Sequence, residues 1–454
     1  MSNSTSDKPS IVELSIQNPE TNDIVDLKGG MVEFIYYESI LSNHVTASFV
    51  YGDTGNVVGE GRSMKGLLDG LPVRGGEMVR IRAKDRQNNR LECKDDNVLY
   101  VNRVKDIVQD TTSSVGVFDL CTKEFLTNEQ TRVPKRYSGK ISDSVTSILD
   151  DVLETPKSKD IEATANSYNF IGNGRKPFFV LTWLAGKSIP EDGSYGNTAG
   201  YFFYETQDGY QFKSAETLIG PTQGGGSSDA SNAKRFFFSD SKEGKDGFDK
   251  ILRYKINSNI DVHEKLSIGT YSNVTHFWNP FTFVLTTTNF DMSEQDGEVR
   301  TAGTDMQFVA EEFRQANKPT RGMTAVLDVG TLPTGEDAEE QCERWKNNPD
   351  ETNDKISERM VQGIMRYNQI FSISTDVLIE ADFSLKAGDS IICEFPDLSA
   401  KTDRVSQKTS GYYLIASLSH KITGTGAFTS LNLVRDSFGR SPSSISSNVS
   451  QMYN

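Results

Sequence analysis

The chain has 454 residues, too many for one ordinary core and enough for two to four folding units. With 36% hydrophobic and 10% aromatic residues and a mean hydropathy of −0.48, the composition excludes a disordered chain. A formal charge of −15 excludes a general nucleic-acid binder, because phosphate contacts need Lys and Arg concentrated on one face.

Met1 to Ser10 lacks the apolar run of a signal peptide, and the longest apolar stretch, Phe178 to Ala185, is far short of a membrane span. The chain is therefore expected to stay in the cytoplasm where it is made, without membrane insertion. From Ile11 onward alternating residues predict strands at Val12 to Ile16, Val32 to Tyr37 and Val45 to Tyr51. Ser142 to Glu154 predicts a helix with Ser142 as N-cap and Val145, Ile148, Leu149, Val152 and Leu153 on one face. Lys176 to Lys187 predicts a second, with Pro177 in its first turn and Phe178, Phe179, Leu181 and Trp183 mostly buried. In Tyr201 to Phe212, Asp208-Gly209 between aromatic runs predicts a hairpin. Gly224 to Ser231 reads as a flexible connector; the Gly-Lys-Ser or Gly-Lys-Thr of a phosphate loop is missing after it. Strands are expected again at Ile251 to Ile256 and Phe281 to Thr287, then helices at Ala338 to Lys346 and Asp354 to Asn368.

Two distant segments share one pattern. Leu71 to Ile81 and Phe383 to Cys393 both end an apolar stretch, then present a cation (Arg74, Lys386), a glycine (Gly76, Gly388), an acid (Glu77, Asp389) and a new strand at Val79 or Ile391. A glycine suits such a reversal because positive φ costs it little. Downstream, Leu99 to Val104 matches Tyr413 to Leu418, and Val115 to Cys121 matches Phe428 to Val434, each second strand following a short polar turn. One β unit is thus expected twice. The fold class is mainly β with α+β insertions: two similar antiparallel β-barrels in one chain. The expected divisions are a 1–10 tail, a first barrel at 11–125, an α+β domain at 126–215, a Gly/Ser-rich linker at 216–248, a second barrel from 249–291 and 369–440, an inserted segment at 292–368, and a 441–454 tail.

No catalytic constellation stands out, so no catalytic residue, cofactor or metal ligand is assigned and no enzyme activity is expected. Cys93, Cys121, Cys342 and Cys393 have no CxxC or CxxH spacing and read as reduced, mostly buried thiols. His44, His263, His276 and His420 lie in no HExxH motif and read as structural. The aromatics Tyr201 to Tyr204 and the group His276 to Pro280 suit either a core or a sugar-stacking platform, and the core or a subunit interface is favoured. The acidic run Gly335 to Glu340 lacks the ordered spacing of an EF-hand loop and reads as a solvated helix start.

Phe118 to Val133, leading through Tyr137 to Ser142 into the helix, together with Gly411 to His420 and Thr429 to Gly439, resembles the central baseplate hub protein of contractile-tailed bacteriophages. The resemblance spans most of the chain. It implies a homotrimer whose two tail-tube-like barrels per chain make a ring of six similar units, joining a three-fold central spike to a six-fold tail tube. It further implies contacts with the spike, with tail tube or tube-initiator proteins, with the tape measure protein and with baseplate wedge proteins. DNA would pass through without specific binding, through a lumen expected to be acidic. The location implied is the virion tail baseplate, assembled in the host cytoplasm. A tail-associated carbohydrate-binding adhesin is the alternative, and a cell-wall hydrolase stands behind it; neither explains the duplicated barrel.

Overall fold

The computed structural model describes residues 10–59, 64–192, 198–219, 233–239, 245, 247–257, 261–280, 283–291, 301–303, 319–326, 339–340, 343, 356–397, 405–406 and 408–438. The Gly224 to Ser231 connector, Cys342, the C-terminal tail, nearly all of the N-terminal tail, most of the acidic run from Gly335 and much of the 292–368 segment lie outside the described residues.

The first half comprises β1 (Ser10–Gln17), β2 (Ile24–Asp26), β3 (Met31–Ser39), β4 (Thr46–Asp53), β5 (Met78–Lys84), β6 (Arg90–Cys93), β7 (Leu99–Gln109) and β8 (Ser114–Thr122). Side chains alternate as a two-residue period demands: Phe34, Tyr36 and Glu38 of β3 and Ala47, Phe49 and Tyr51 of β4 are all buried. Pairing runs β1-β5-β7-β8-β4-β3, antiparallel throughout, with β2 beside β1 and β6 beside β5. Leu14, Ile16, Phe34, Phe49, Val79, Ile81, Val101, Phe118 and Leu120 fill one core. Full burial of each such Leu, Ile, Val or Phe contributes about 1.5–3 kcal/mol.

An α+β unit follows, with β9 (Arg136–Tyr137), β10 (Lys159–Ile161), β11 (Phe170–Ile171), β12 (Tyr201–Thr206) and β13 (Gly209–Ser214). Its first expected helix is Ile141–Ser147, continued by a wider π turn at Ile148–Val152. Ser142 is not the cap: Lys140 is, and Ser142 lies within the first turn, its N–H donating to the Thr164 hydroxyl at 3.0 Å. The second helix, Pro177–Ala185, carries its proline in the first turn, where the missing N–H breaks no helical bond. Phe178, Leu181 and Leu184 are buried, whereas Phe179 is 56% exposed. The hairpin loop is Gln207-Asp208, since Thr206 pairs with Gly209, whose φ is +113°.

The second half holds β14 (Arg235–Phe237), β15 (Asp249–Ile256), β16 (Ser272–Trp278), β17 (Leu285–Asp291), β18 (Arg321–Val326), β19 (Ile373–Glu380), β20 (Ser390–Glu394), β21 (Gly411–Thr423) and β22 (Ala427–Arg435). Six of these close a barrel in the order β14-β20-β21-β22-β19-β15 and back to β14. Two sequence expectations change here. β14 lies within the stretch read as linker, yet it bridges β20 and β15 and runs parallel to both. β16 and β17, expected in this barrel, form a separate sheet with β18. β17 is largely exposed along its length and offers no buried alternation to a barrel. The helix Ile356–Ile370 is not peripheral: Val361 and Met365 pack on Phe277, and Ile370 packs on Tyr412 and Leu414.

Strand for strand, β3, β4, β5, β7 and β8 are bonded in the same order and sense as β15, β19, β20, β21 and β22. The turn before β5 or β20 also recurs in detail. Gly76 N–H donates to the Val101 carbonyl at 2.7 Å and Val101 N–H to that of Glu77 at 2.9 Å; Gly388, Ile415 and Asp389 repeat this, both at 2.9 Å. Glu77 accepts the Arg74 N–H at 2.6 Å, and Asp389 that of Lys386 at 2.9 Å. Two bulges fall alike, at Val101/Arg103 and Ile415/Ser417, and at Met31/Glu33 and Ile251/Arg253, whereas a further bulge at Lys105/Val108 of β7 has no counterpart in the β21–β22 register. The halves differ at their first strand, because β1 is antiparallel to β5 whereas β14 is parallel to β20. They also differ at β3, which pairs onward with β21 and so joins both halves into one sheet.

The two glycines offer a test. Gly76 and Gly388 have φ of +89° and +92°, so alanine at either incurs about 1–2 kcal/mol of backbone strain. A Cβ at Gly76 meets open space, whereas one at Gly388 meets Tyr204 Cζ at 2.9 Å. Urea denaturation is expected to show Gly388→Ala less stable than Gly76→Ala by a further 1–3 kcal/mol or so; equal losses would show that Tyr204 moves aside freely.

Candidate assembly interface

The seam between the halves centres on Glu38, at an inward position of β3. Its Oε1 accepts the Tyr36 hydroxyl at 2.8 Å and the Gln207 N–H at 2.7 Å, and its Oε2 accepts the Ala387 N–H at 2.9 Å. Gln207 belongs to the β12–β13 turn and Ala387 to the turn before β20, so one carboxyl holds the first sheet, the α+β unit and the second barrel together. Burial pushes the Glu38 carboxyl up to about 7, against the pull of these hydrogen bonds. Asp389, two residues beyond Ala387, is pushed up to about 6 by burial as well. Lys386 and Asp208 form an ion pair between the turn before β20 and the β12–β13 turn.

Two more buried charge groups fasten the units. Lys157 Nζ lies 2.5 Å from Glu205 and 2.7 Å from Glu124. Glu205 Oε2 also accepts the Val45 N–H and the Thr122 hydroxyl, each at 2.9 Å, which ties β12 to the first sheet. Burial opposes the charge on Lys157, but its two carboxylates outweigh that and hold its pKa above the ordinary value. Arg366, on the helix Ile356–Ile370, lies 2.7 Å from Glu216 and 2.9 Å from Asp436. It joins the α+β unit to the end of the second barrel.

β12 is buried on both faces. Tyr201 and Phe203 enter the α+β core, while Phe202 and Tyr204 pack with Ile392, Tyr412 and Leu414 of the barrel. The Tyr201 to Tyr204 aromatics therefore form core and offer no stacking platform. Phe277 is buried, whereas Trp278 is 38% exposed. His44 stacks on Phe125 with ring centres 3.9 Å apart, and burial lowers it to about 4. His420 is held down at about 4 by burial, with Nδ1 2.9 Å from the Thr429 hydroxyl. Cys93, Cys121 and Cys393 are buried free thiols, and burial raises Cys121 to about 12. Among the described residues no group of three or more His, Cys, Asp or Glu is placed to hold a metal ion. No helix of the described residues is long and apolar enough to cross a membrane.

A groove of about 630 Å³ lies where β3 and β4 meet the outer face of the second barrel. Arg253, Lys255 and Asp376 line it together with Tyr37, His44 and Asn432. These exposed charges are mixed in sign, so the chain's acidic excess is not concentrated there. Sequence reasoning missed Glu38, Lys157, Glu205 and Arg366. The one available signal was at Glu38, which continues the inward alternation of Phe34 and Tyr36.

No family model matches the sequence, and no curated protein matches it either. Solved structures do match. The tail protein from Neisseria meningitidis MC58 aligns with a TM-score of 0.47 at 8% identity, covering 94% of this chain and 97% of its own. The 43 kDa tail protein of prophage MuSo2 from Shewanella oneidensis gives 0.47 at 10% identity, covering 94% and 99%. An E. coli type VI secretion component, described as similar to the T4 tail proteins gp27 and gp5, gives 0.41 at 10% identity, covering 97% and 80%.

The buried carboxyl implies a pH dependence. Folded Glu38 keeps its proton up to about pH 7, whereas the unfolded chain releases it near 4.5. The native state thus binds more protons across that window, and stability falls as pH rises through it, by about 3 kcal/mol from this group. Urea denaturation at pH 5 and 7.5 is expected to show a shallower pH slope for Glu38→Gln than for the unaltered chain. A second variant, Lys157→Met, leaves Glu124 and Glu205 buried without their cation and is expected to destabilise the fold by about 3–5 kcal/mol in the same assay.

Proposed function

We propose that the chain is a non-enzymatic structural hub of a contractile phage tail baseplate, working as a homotrimer in the virion. The observation that carries this reading is the pair of halves with one strand order, one turn chemistry and two bulges at matching positions, fused through β3 and β21. Under this reading residues 11–125 and the closed barrel are two copies of one tube-like unit, and the α+β unit at 126–215 braces them. Three chains then present six similar units on a three-fold axis. Such an object meets a three-fold central spike through its trimer symmetry and a six-fold tail tube through its repeated units. That need for two symmetries is a physical reason to keep two diverged copies in one polypeptide.

The ring surrounds the channel for DNA and the tape measure protein, and wedge proteins contact it from outside. Three chains at −15 each carry about −45, a field that disfavours phosphate adhesion to the assembly. Light scattering on the purified chain, alone and mixed with its candidate spike protein, tests the reading. A particle holding three copies of the 50.4 kDa chain in either sample is the expected result. A strict monomer in both samples would remove the symmetry-adaptor mechanism.

A further inference from the structure

The seam within the chain leaves two strand edges that have no counterpart partner. Beyond its bulge, β21 pairs with β3 from Ser417/Ser39 to Thr423/Glu33. Among the described residues the matching stretch of β7 beyond Val101 bonds only to β8, because β5 reaches no further than Tyr100. The match of β3 is β15, and from Ile251 to Ile256 it bonds only to β19 among the described residues. Both edges carry apolar groups in the open. Ile107 is 49% and Val108 72% exposed on β7, and Leu252 is 40% and Ile256 36% exposed on β15. A bare apolar edge of this kind is a template for strand addition.

We infer that β7 of one copy adds antiparallel to β15 of the next, so that the contact between chains repeats the seam within each chain. The inference rests on the equivalence of the two halves in the hub reading and adds the edges and their register. The seam sets Lys421 opposite Ile35 and Thr423 opposite Glu33. The shared bulge carries Ile35 to Lys255 and Glu33 to Arg253. The hairpin partners Phe428 and Val115 carry Lys421 to Val108, across a bulge at Lys105/Val108 that β21 lacks, and, two residues on, Thr423 to Asp110. The transferred register therefore places Val108 opposite Lys255, Asp110 opposite Arg253, and Ile107 beside Ile256. The ionic pair Asp110–Arg253 would stand beside the position that the Lys421–Glu33 ion pair occupies at the seam. The apolar pair would occupy the place of the stacked Tyr36 and His420 rings. Because different edges meet, the contact is head-to-tail, and such contacts close into rings when the rotation permits.

The test is the double variant Val108→Cys with Lys255→Cys in the full chain. It is oxidised in whichever sample, alone or with spike protein, light scattering finds to contain more than one copy, and run on a non-reducing denaturing gel. Covalent dimers and trimers are expected from the double variant, with neither single variant forming them. A companion, Ile107→Lys with Val108→Lys, alters only exposed positions and is expected to keep the thermal transition while weakening self-association at least tenfold. A trimer in solution that neither cross-links nor responds to the lysines overturns the edge pairing and leaves the hub reading standing. A monomer under all conditions overturns both.

Discussion

Seven antiparallel residue pairs between β3 and β21 hold the architecture in its present form. Had β3 instead curled back on β1, the first half would close on itself and the chain would be two barrels on a string. By giving that edge to β21, the fold joins the two halves into one continuous sheet. Glu38 stands at the centre of this arrangement because its two oxygens satisfy N–H groups from two other segments at once.

The α+β unit is the brace. β12 is buried on both faces, so its aromatics weld that unit to the barrel rather than facing solvent. The Lys157 group fixes that unit to the first sheet and the Arg366 group fixes it to the second barrel, both with charges out of water. Desolvated ion pairs add little net stability over apolar packing, but they penalise misplacement heavily, because a shifted partner leaves an uncompensated charge. Their position at boundaries rather than in the middle of a core suits a protein whose relative domain placement matters.

Much of this was legible in the residues. The Gly76 and Gly388 turns were visible because a positive-φ glycine followed by a capping acid is a local device, and the strands after them followed from two-residue alternation. The helix at Pro177 was visible for the same local reason. β14 was not, since the short run Phe236 to Phe238 between polar flanks shows no alternation, and its assignment comes from the edges of β15 and β20. The separate sheet of β16, β17 and β18 was also hidden, because the parallel partner of β16 comes from Arg321–Val326, far along the chain.

The seam, the buried charges and the doubly buried β12 were beyond sequence reading altogether. A strand's alternation states which side chains turn inward but not which edge meets which, and an inward acid reads the same whether it is satisfied from two other segments or left at a rim. The sequence by itself determined the β-rich class, the repeated turn-and-hairpin unit and the intervening α+β segment, because each depends on residues close together in the chain. Only the tertiary structure decided how the two halves join and which of their edges stay open, because hydrogen bonds between distant strands depend on register and proximity that no local pattern encodes.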